Sequence, residues 1–460
     1  MKYIFNHFLV SLVLFSLSAM TLACEGEDCL LCDGLASEEH YQEGIMKAMR
    51  FIAPGNDTWL FRSDFDLSNS FGIAQEFEPD LKRFISQLKR RGTELVVIVQ
   101  PTRGLMNPHR VRDEYRYDFD FEIARQSLQG YLNQLLEAVA HVPNAMSLID
   151  GEMEEDYFFR RDHHWTPYGS KVTAQLVADY IKQMPVYQDL DSKEYVTEPS
   201  TYIPKDGTMN RALRHICGNN HGSQYVKGYQ TVPVSSDEDA LFGDVADPEV
   251  VLVGTSNSAE RDDDYKNYNF SGFLKEYLEL DILNYAMPGA GDIGSLIQYF
   301  QSEDYDIDNP PKLIIWELPA SYPLSEEKIY RQLVPAVDGG CDFNQQILEK
   351  NHQLTAMEPA QRIEILSNTG RSRKRIDSSQ GYIQLDFSDK NIKDFYVITY
   401  YDNGVRDKIW FRRANIVDGG RYFLELSKDE KFQDANLMSV FLEPSEPIKG
   451  SSTLKARLCH

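Results

Sequence analysis

The sequence predicts an α/β domain built on a parallel sheet with flanking helices, followed by a smaller β-sandwich. Three observations carry this. Short β-branched apolar runs alternate with amphipathic helical stretches over most of the chain, which is the pattern of strands joined by helical crossovers. Beyond Cys341 the pattern changes to strand-like runs separated by Asp-Asn-Gly and Asp-Gly-Gly turns, as in a sandwich. The charge balance changes at the same place. Residues 341–460 hold 18 Lys and Arg against 17 Asp and Glu, whereas residues 1–340 hold 29 against 54.

In the first domain, residues 94–99, 146–150, 250–254, 280–285 and 312–316 read as strands. Leu81, Phe84, Ile85 and Leu88 follow helical spacing, and residues 121–139 and 168–181 look similar. A parallel sheet of this kind presents its chemistry just beyond the C-terminal strand ends. Residues 186–246 are weakly patterned and read as an insertion rich in loops. In the tail, residues 344–366 look helical. Residues 381–387, 395–401, 408–411, 422–426 and 437–442 look like strands. The expected boundaries are 1–23 for a signal peptide, 24–342 for the α/β domain and 343–460 for the β-rich module.

The signal assignment rests on Lys2, an apolar run over residues 8–20, and Thr21-Leu22-Ala23 ahead of a cleavage point. An uncleaved anchor or a lipid-modified Cys24 are the alternatives, and the short apolar run and Thr21 weigh against them. Six cysteines (Cys24, Cys29, Cys32, Cys217, Cys341 and Cys459) in an exported chain suggest disulfides. Cys29-x-x-Cys32 lacks the second pair that a structural zinc site needs. The whole chain carries a formal charge of −24. That excludes a generic nucleic-acid binder, because such a protein needs a positive field. It leaves room for a polyanionic ligand on a local basic patch.

Two segments carry candidate chemistry. Gly254-Thr255-Ser256 follows the clearest strand, so Ser256 is offered at the sheet edge with its own amide available for an oxyanion. Arg160-Arg161-Asp162-His163-His164-Trp165-Thr166 supplies a base and a carboxylate. In an extended segment Asp162 and His164 share a side, with His163 pointing away. Trp165 is then a pocket wall and Thr166 a helix cap. A metal site at Asp162, His163 and His164 is the alternative, without further ligand-spaced residues to support it. Residues 284–292, rich in glycine, join a strand to a helix and stay unassigned. In the tail, alternation places Arg406, Lys408, Trp410 and Arg412 on one strand face. Such a face suits sugar rings that carry carboxylates. A charged, solvated edge strand is the plainer alternative.

Together the segments Gly55-Asn-Asp-Thr-Trp59-Leu-Phe61-Arg62, Asp162-x-His164-Trp165-Thr166, Gly254-Thr-Ser256 and Trp316-Glu317-Leu-Pro resemble the AlgX family of alginate O-acetyltransferases over nearly the whole mature chain. The resemblance implies an SGNH-hydrolase-like first domain with Ser256, His164 and Asp162 as triad, and a carbohydrate-binding module as the tail. It implies disulfides at Cys341–Cys459 and between Cys217 and one early cysteine, assigned here to Cys32. It further implies a periplasmic location and alginate (polymannuronate) as the ligand. The acetyl donor would be relayed from a membrane-bound O-acyltransferase, with other alginate biosynthesis and export proteins as partners. No metal or cofactor is called for. The spacing is Asp-x-His where SGNH esterases commonly carry Asp-x-x-His.

The expected reaction is acetyl transfer through an acetyl-serine onto mannuronate hydroxyls. An acetylesterase with the same triad and a non-catalytic polysaccharide-binding scaffold are the alternatives.

Overall fold

The computed structural model describes residues 30–234, 248–341, 344–371, 373–376, 381–417 and 419–460. The signal segment, Cys24 and Cys29 lie outside the described residues. No described helix is long and apolar enough to cross a membrane.

Strands β1 (Ile52–Pro54) and β2 (Leu60–Arg62) form a small hairpin. The central sheet holds β3 (Glu94–Gln100). Next in the chain come two long strands, β4 (Tyr195–Lys205) and β5 (Gln224–Pro233), which pair only with each other. The sheet is completed by β6 (Val250–Val253), β7 (Leu283–Asn284) and β8 (Leu313–Pro319). Its order is β3-β8-β6-β7 and every pairing is parallel. Strands β3, β6 and β8 are buried along almost their whole length. They read as continuous apolar runs because helices cover the sheet. Those helices include Glu78–Arg90, Phe121–Glu137 and Pro167–Ile181, whose apolar faces join one core with the sheet.

The tail is two antiparallel four-stranded sheets. One is ordered β10-β15-β12-β13 and the other β14-β11-β16-β9. Their strands are β9 (Gln346–Leu354), β10 (Ile363–Ser367), β11 (Tyr382–Phe387), β12 (Asp394–Tyr401), β13 (Arg406–Arg412), β14 (Arg421–Glu425), β15 (Leu437–Pro444) and β16 (Ser452–Cys459). Inward residues such as Ile383, Leu385, Val397, Leu442 and Leu454 build a second core between the sheets.

Several elements differ from the sequence reading. Residues 344–366 are not helical: they form β9, a turn and β10. Residues 146–150 are a short helix, Met146–Asp150, rather than a strand. The expected strand at 280–285 shrinks to the two residues of β7. The loop-rich insertion contains β4, the helix Thr208–Cys217 and β5.

Two disulfides pin the ends of these units. Cys32 pairs with Cys217, tying the N-terminal segment to the insertion helix. Cys341 pairs with Cys459, closing the tail on itself. Polar contacts join the tail and the α/β domain. Arg331 donates to the Glu425 carbonyl at 2.8 Å and pairs with Asp407 at 2.6 Å, and Arg83 pairs with Glu425 at 2.6 Å.

Candidate active site

Strand β6 ends at Val253, and the chain turns at once through Gly254 and Thr255 to Ser256. The turn is tight against β8. A Cβ on Gly254 would lie 2.7 Å from Glu317 Oε2, so only glycine fits. The fully buried Glu317 carboxylate holds the turn. It accepts the Thr255 amide at 2.7 Å, the Thr255 hydroxyl at 2.9 Å and the Ser258 hydroxyl at 3.1 Å. Burial raises the Glu317 pKa, against the lowering effect of these hydrogen bonds. Asn257 braces the other side. Its amide donates to Gln100 at the end of β3, 3.0 Å away, and its carbonyl accepts the Trp165 indole N–H at 3.0 Å. Trp165 is therefore an anchor packed on Phe270 rather than a pocket wall.

The segment bearing Asp162 and His164 meets this turn. His164 Nε2 lies 2.8 Å from Ser256 Oγ, and His164 Nδ1 is hydrogen-bonded to Asp162 Oδ1. The segment is bent rather than extended. The two side chains meet because the His164 amide itself donates to Asp162 Oδ1 at 3.0 Å. The second carboxylate oxygen accepts the Thr208 amide at 2.7 Å. Gly207 makes this approach possible: its φ is +91°, and a Cβ there would meet the Arg161 carbonyl at 2.2 Å. Thr166 caps the following helix by accepting the Gly169 amide at 3.1 Å. His163 does not point away. Its ring lies against that of His164, centroids 3.9 Å apart and planes tilted by 37°, and its Nδ1 lies 2.8 Å from the Thr208 hydroxyl.

Two cations support the site that the motifs alone did not reveal. Arg103 lies just past β3 and is almost fully buried. Its Nη1 donates to the carbonyls of Phe159 (2.6 Å) and Asp162 (2.7 Å), and its Nη2 to those of Leu60 (2.7 Å) and Arg160 (2.9 Å). It therefore clamps the Asp162 segment to the sheet end. Burial lowers its pKa to about 10, so it stays a cation at neutral pH. Lys205, at the end of β4, places Nζ 3.8 Å from Asp162 Oδ1, is hydrogen-bonded to the Tyr268 hydroxyl and sits over the Phe159 and Tyr268 rings. A cation directly beyond a strand end is a readable signal for Arg103. Lys205 has none, because most of its strand is exposed and carries no sustained apolar pattern.

The electrostatics follow from these contacts. Burial alone would raise the Asp162 carboxyl, but the charges of His164 and Lys205 outweigh it and hold the group well below the usual carboxylate range. Burial pushes the His164 imidazole below its ordinary 6.5. Lys205 and Arg261 add to that effect, while Asp162 opposes it. The imidazole is thus neutral and able to accept a proton near pH 7. Asp162, His163 and His164 do bring possible metal-ligand atoms within 4.8 Å of one another. Yet both Asp162 oxygens and both His164 nitrogens are already engaged in hydrogen bonds, the arrangement of a proton relay.

In the tail, β13 is an edge strand with alternating exposure, so Arg406, Lys408, Trp410 and Arg412 share its outer face. Trp410 is 42% exposed and stacks on Tyr396 with ring centroids 5.7 Å apart. Its indole N–H donates to Asp394 at 2.7 Å, and the Arg412 guanidinium lies 5.4 Å from its ring. Lys408 pairs with the buried Glu443 at 2.7 Å while its Nζ sits 3.9 Å above Tyr396. Trp410 and Arg412 also line a cavity of about 380 Å³ whose opposite wall includes Gly289 and Asp292. That wall belongs to the unassigned glycine-rich loop. The loop contacts the turn that carries Ser256, since the Met287 amide donates to the Gly254 carbonyl at 3.0 Å.

Comparison with known proteins fits this architecture. The model of an SGNH hydrolase-like domain, acetyltransferase AlgX, matches residues 52–320, and a C-terminal carbohydrate-binding module matches residues 340–460. The alginate biosynthesis protein AlgX of Pseudomonas aeruginosa is 34% identical over 431 residues, covering 93% of this chain and 88% of that protein. The chain belongs to the AlgX family. A solved structure of Pseudomonas aeruginosa AlgX superposes with a TM-score of 0.83 at 32% identity, covering 94% of this chain and 99% of that one. The probable alginate O-acetylase AlgJ of Pseudomonas syringae is 28% identical over 289 residues, covering 59% of this chain and 68% of that protein. The AlgX-like match thus spans both domains, whereas the AlgJ-like match covers little more than half of the chain.

Proposed function

We propose that this protein is a periplasmic O-acetyltransferase that moves an acetyl group through an acetyl-Ser256 intermediate onto mannuronate hydroxyls of alginate. The observation that carries the reading is the contact of His164 Nε2 with Ser256 Oγ at 2.8 Å, with Asp162 on the opposite ring nitrogen. Membership of a family whose members are named for alginate biosynthesis supports the substrate class.

The chemistry follows from the geometry. Ser256 Oγ attacks the acetyl carbonyl of the donor as its proton passes to His164 Nε2. Asp162 holds the ring in the required tautomer and stabilises the imidazolium. The Ser256 amide, which donates to no acceptor among the described residues, is free to bind the oxyanion. Collapse of the tetrahedral intermediate expels the donor's leaving group, which takes the proton from His164. A sugar hydroxyl then attacks the acetyl-serine carbonyl and gives its proton to His164. Collapse of the second intermediate returns that proton to Ser256 Oγ and releases the acetylated sugar.

Residues 1–340 carry a net charge of −25 and repel a polyuronate, whereas residues 341–460 carry +1. A separate module bearing Arg406, Lys408, Trp410 and Arg412 therefore raises the local concentration of the acceptor and helps it compete with water. The donor is assigned to a relay from a membrane-bound O-acyltransferase, and the protein to an assembly with other alginate biosynthesis and export proteins. The disulfides Cys32–Cys217 and Cys341–Cys459 suit an oxidising compartment.

The test is acetyl-enzyme trapping with an activated acetate ester, followed by mannuronate oligomers. A mass increase of one acetyl group on the Ser256 peptide, absent in Ser256→Ala, and acetylated sugar as product are expected. Free acetate alone would make the protein an esterase, and no adduct would leave the tail as a binding scaffold.

A further inference from the structure

We propose that His163 is a positioning residue for the base His164: its ring holds the neighbouring imidazole in line between Asp162 and Ser256 when the serine carries the acetyl group. This inference rests on the acetyl-transfer reading above and adds a residue that the reaction scheme leaves unused.

His164, Asp162, Thr208 and His163 form a closed circuit. His164 Nδ1 is hydrogen-bonded to Asp162 Oδ1. Asp162 Oδ2 accepts the Thr208 amide at 2.7 Å. The Thr208 hydroxyl is hydrogen-bonded to His163 Nδ1 at 2.8 Å. The His163 ring then lies against that of His164, with centroids 3.9 Å apart. Thr208 therefore fixes both the carboxylate that orients the base and the ring that flanks it. It is a firm reference point. It opens the helix Thr208–Cys217, whose Met209 and Leu213 pack in a small core with Leu35 and Tyr41, and whose far end is bridged to Cys32.

The second half of the reaction requires such a hold. In the resting site His164 is anchored through both ring nitrogens, by Asp162 and by the Ser256 hydroxyl. Once Ser256 Oγ carries the acetyl group, it has no proton to share and that anchor is lost. Asp162 alone then restrains the ring, and the torsion that turns an imidazole about its Cβ–Cγ bond is broad. This is the state in which Nε2 must meet the acceptor hydroxyl. A misplacement on the order of 1 Å can cost about 100-fold in rate. A ring packed against the imidazole resists the turn. Tyr268 also lies beside His164, but its centroid is 5.4 Å away, so His163 makes the closer contact.

His163 also suits the charge that appears next to it. Burial first, and then the charge of His164, push its own imidazole well below the ordinary 6.5, against the opposing effect of Asp162. It therefore stays neutral while His164 takes up a proton, and no second cation opposes the imidazolium. The residue is half-buried, so its replacement does not hollow out the apolar core of the domain.

Two measurements on the full chain test this. One is the far-downfield proton resonance of the His164 Nδ1–H bonded to Asp162, identified by its loss in His164→Gln, which needs no substrate. The other is the rate at which acetyl-Ser256, loaded from an activated acetate ester, is discharged to mannuronate oligomers. Only folded molecules acquire the acetyl group, so a misfolded fraction does not lower the discharge rate. His163→Ala is expected to broaden the resonance and to slow discharge by about tenfold or more, and to slow loading by less. His163→Phe keeps a ring and His163→Asn keeps a partner for Thr208, so each should recover part of the loss. Thr208→Val removes the hydroxyl but keeps the amide that Asp162 accepts. Added to His163→Phe, it should slow discharge no further, because both changes cut the same link. A sharp resonance with unaltered discharge in His163→Ala overturns the inference, as do Phe and Asn variants no better than alanine. If the unaltered protein shows the resonance but acquires no acetyl group, the acetyl-transfer reading fails, and the resonance in the variants still decides whether His163 holds the ring.

Discussion

Lys205 Nζ lies 3.8 Å from Asp162 Oδ1, the same carboxylate oxygen that is hydrogen-bonded to His164 Nδ1.

 The ammonium favours the Asp162 carboxylate and disfavours an imidazolium at His164. The folded His164 pKa is depressed below 6.5, so the proton-accepting form persists to lower pH than in a free imidazole. Activity should therefore rise with pH along a limb centred below 6.5. Removing the cation with Lys205→Met lets the imidazole hold its proton to higher pH, so the limb moves upward and activity is lost first at mildly acid pH. Lys205→Arg should restore the original profile. The pH dependence of acetyl-Ser256 formation measures this, and an unmoved limb in Lys205→Met would show that the ammonium does not act on the imidazole.

Glu317 holds the Ser256 turn through three donors from Thr255 and Ser258. Glu317→Ala leaves these groups buried and unpaired, at a cost of roughly 2–4 kcal/mol. Glu317→Gln keeps the volume but turns an amide N–H₂ toward donors, so it is expected to fall between. Urea unfolding measures the cost, and acetyl-enzyme trapping should show Ser256 acylation reduced in both variants. Full stability and full acylation in Glu317→Ala would refute a supporting role for the carboxylate.

These two residues also show what the sequence makes legible. Strands β3, β6 and β8 are buried on both faces, so they read as unbroken apolar runs, and Ser256 is found as the hydroxyl just past one of them. Asp162 and His164 are readable because a carboxylate and an imidazole stand two residues apart. Lys205 and Thr208 reach the same carboxylate from more than forty positions along the chain, and only the fold brings them there. Their hairpin escapes detection because most of β4 is exposed on both sides and shows no period of two. Strand β9 reads as helix for a related reason: only its last residue is buried, and its Gln, Leu, Glu and Lys residues favour helix by intrinsic propensity. The Met146–Asp150 run is too short for periodicity to separate a buried strand from a helical turn.

The bridge between Cys341 and Cys459 spans 118 positions and encloses the whole β-sandwich. In the chain-entropy account such a closure stabilises the folded tail by about 4–5 kcal/mol. Replacing both cysteines by serine should lower the melting temperature of the tail and weaken alginate binding at growth temperature. Calorimetry of the full chain under oxidising and reducing conditions measures this. A tail transition that ignores the reductant would contradict it.

Trp410 and Lys408 make the last prediction specific to the tail. Trp410 offers an exposed ring, held flat by stacking on Tyr396 and by its hydrogen bond to Asp394. Such a ring loses little freedom when a sugar stacks on it, so its removal should cost more than that of a mobile side chain. Trp410→Ala is expected to weaken binding of mannuronate oligomers by about tenfold, in the range of an interface anchor. Lys408 acts differently, because its charge is already shared with Glu443. Lys408→Ala both removes a cation and leaves Glu443 with only Arg362, so the face becomes more repulsive to a polyanion. The loss should be largest at low salt and shrink as salt screens the repulsion, whereas the Trp410→Ala loss should change little. Isothermal titration at two ionic strengths separates the two effects. Unaltered affinity in both variants would remove this strand face from polymer binding.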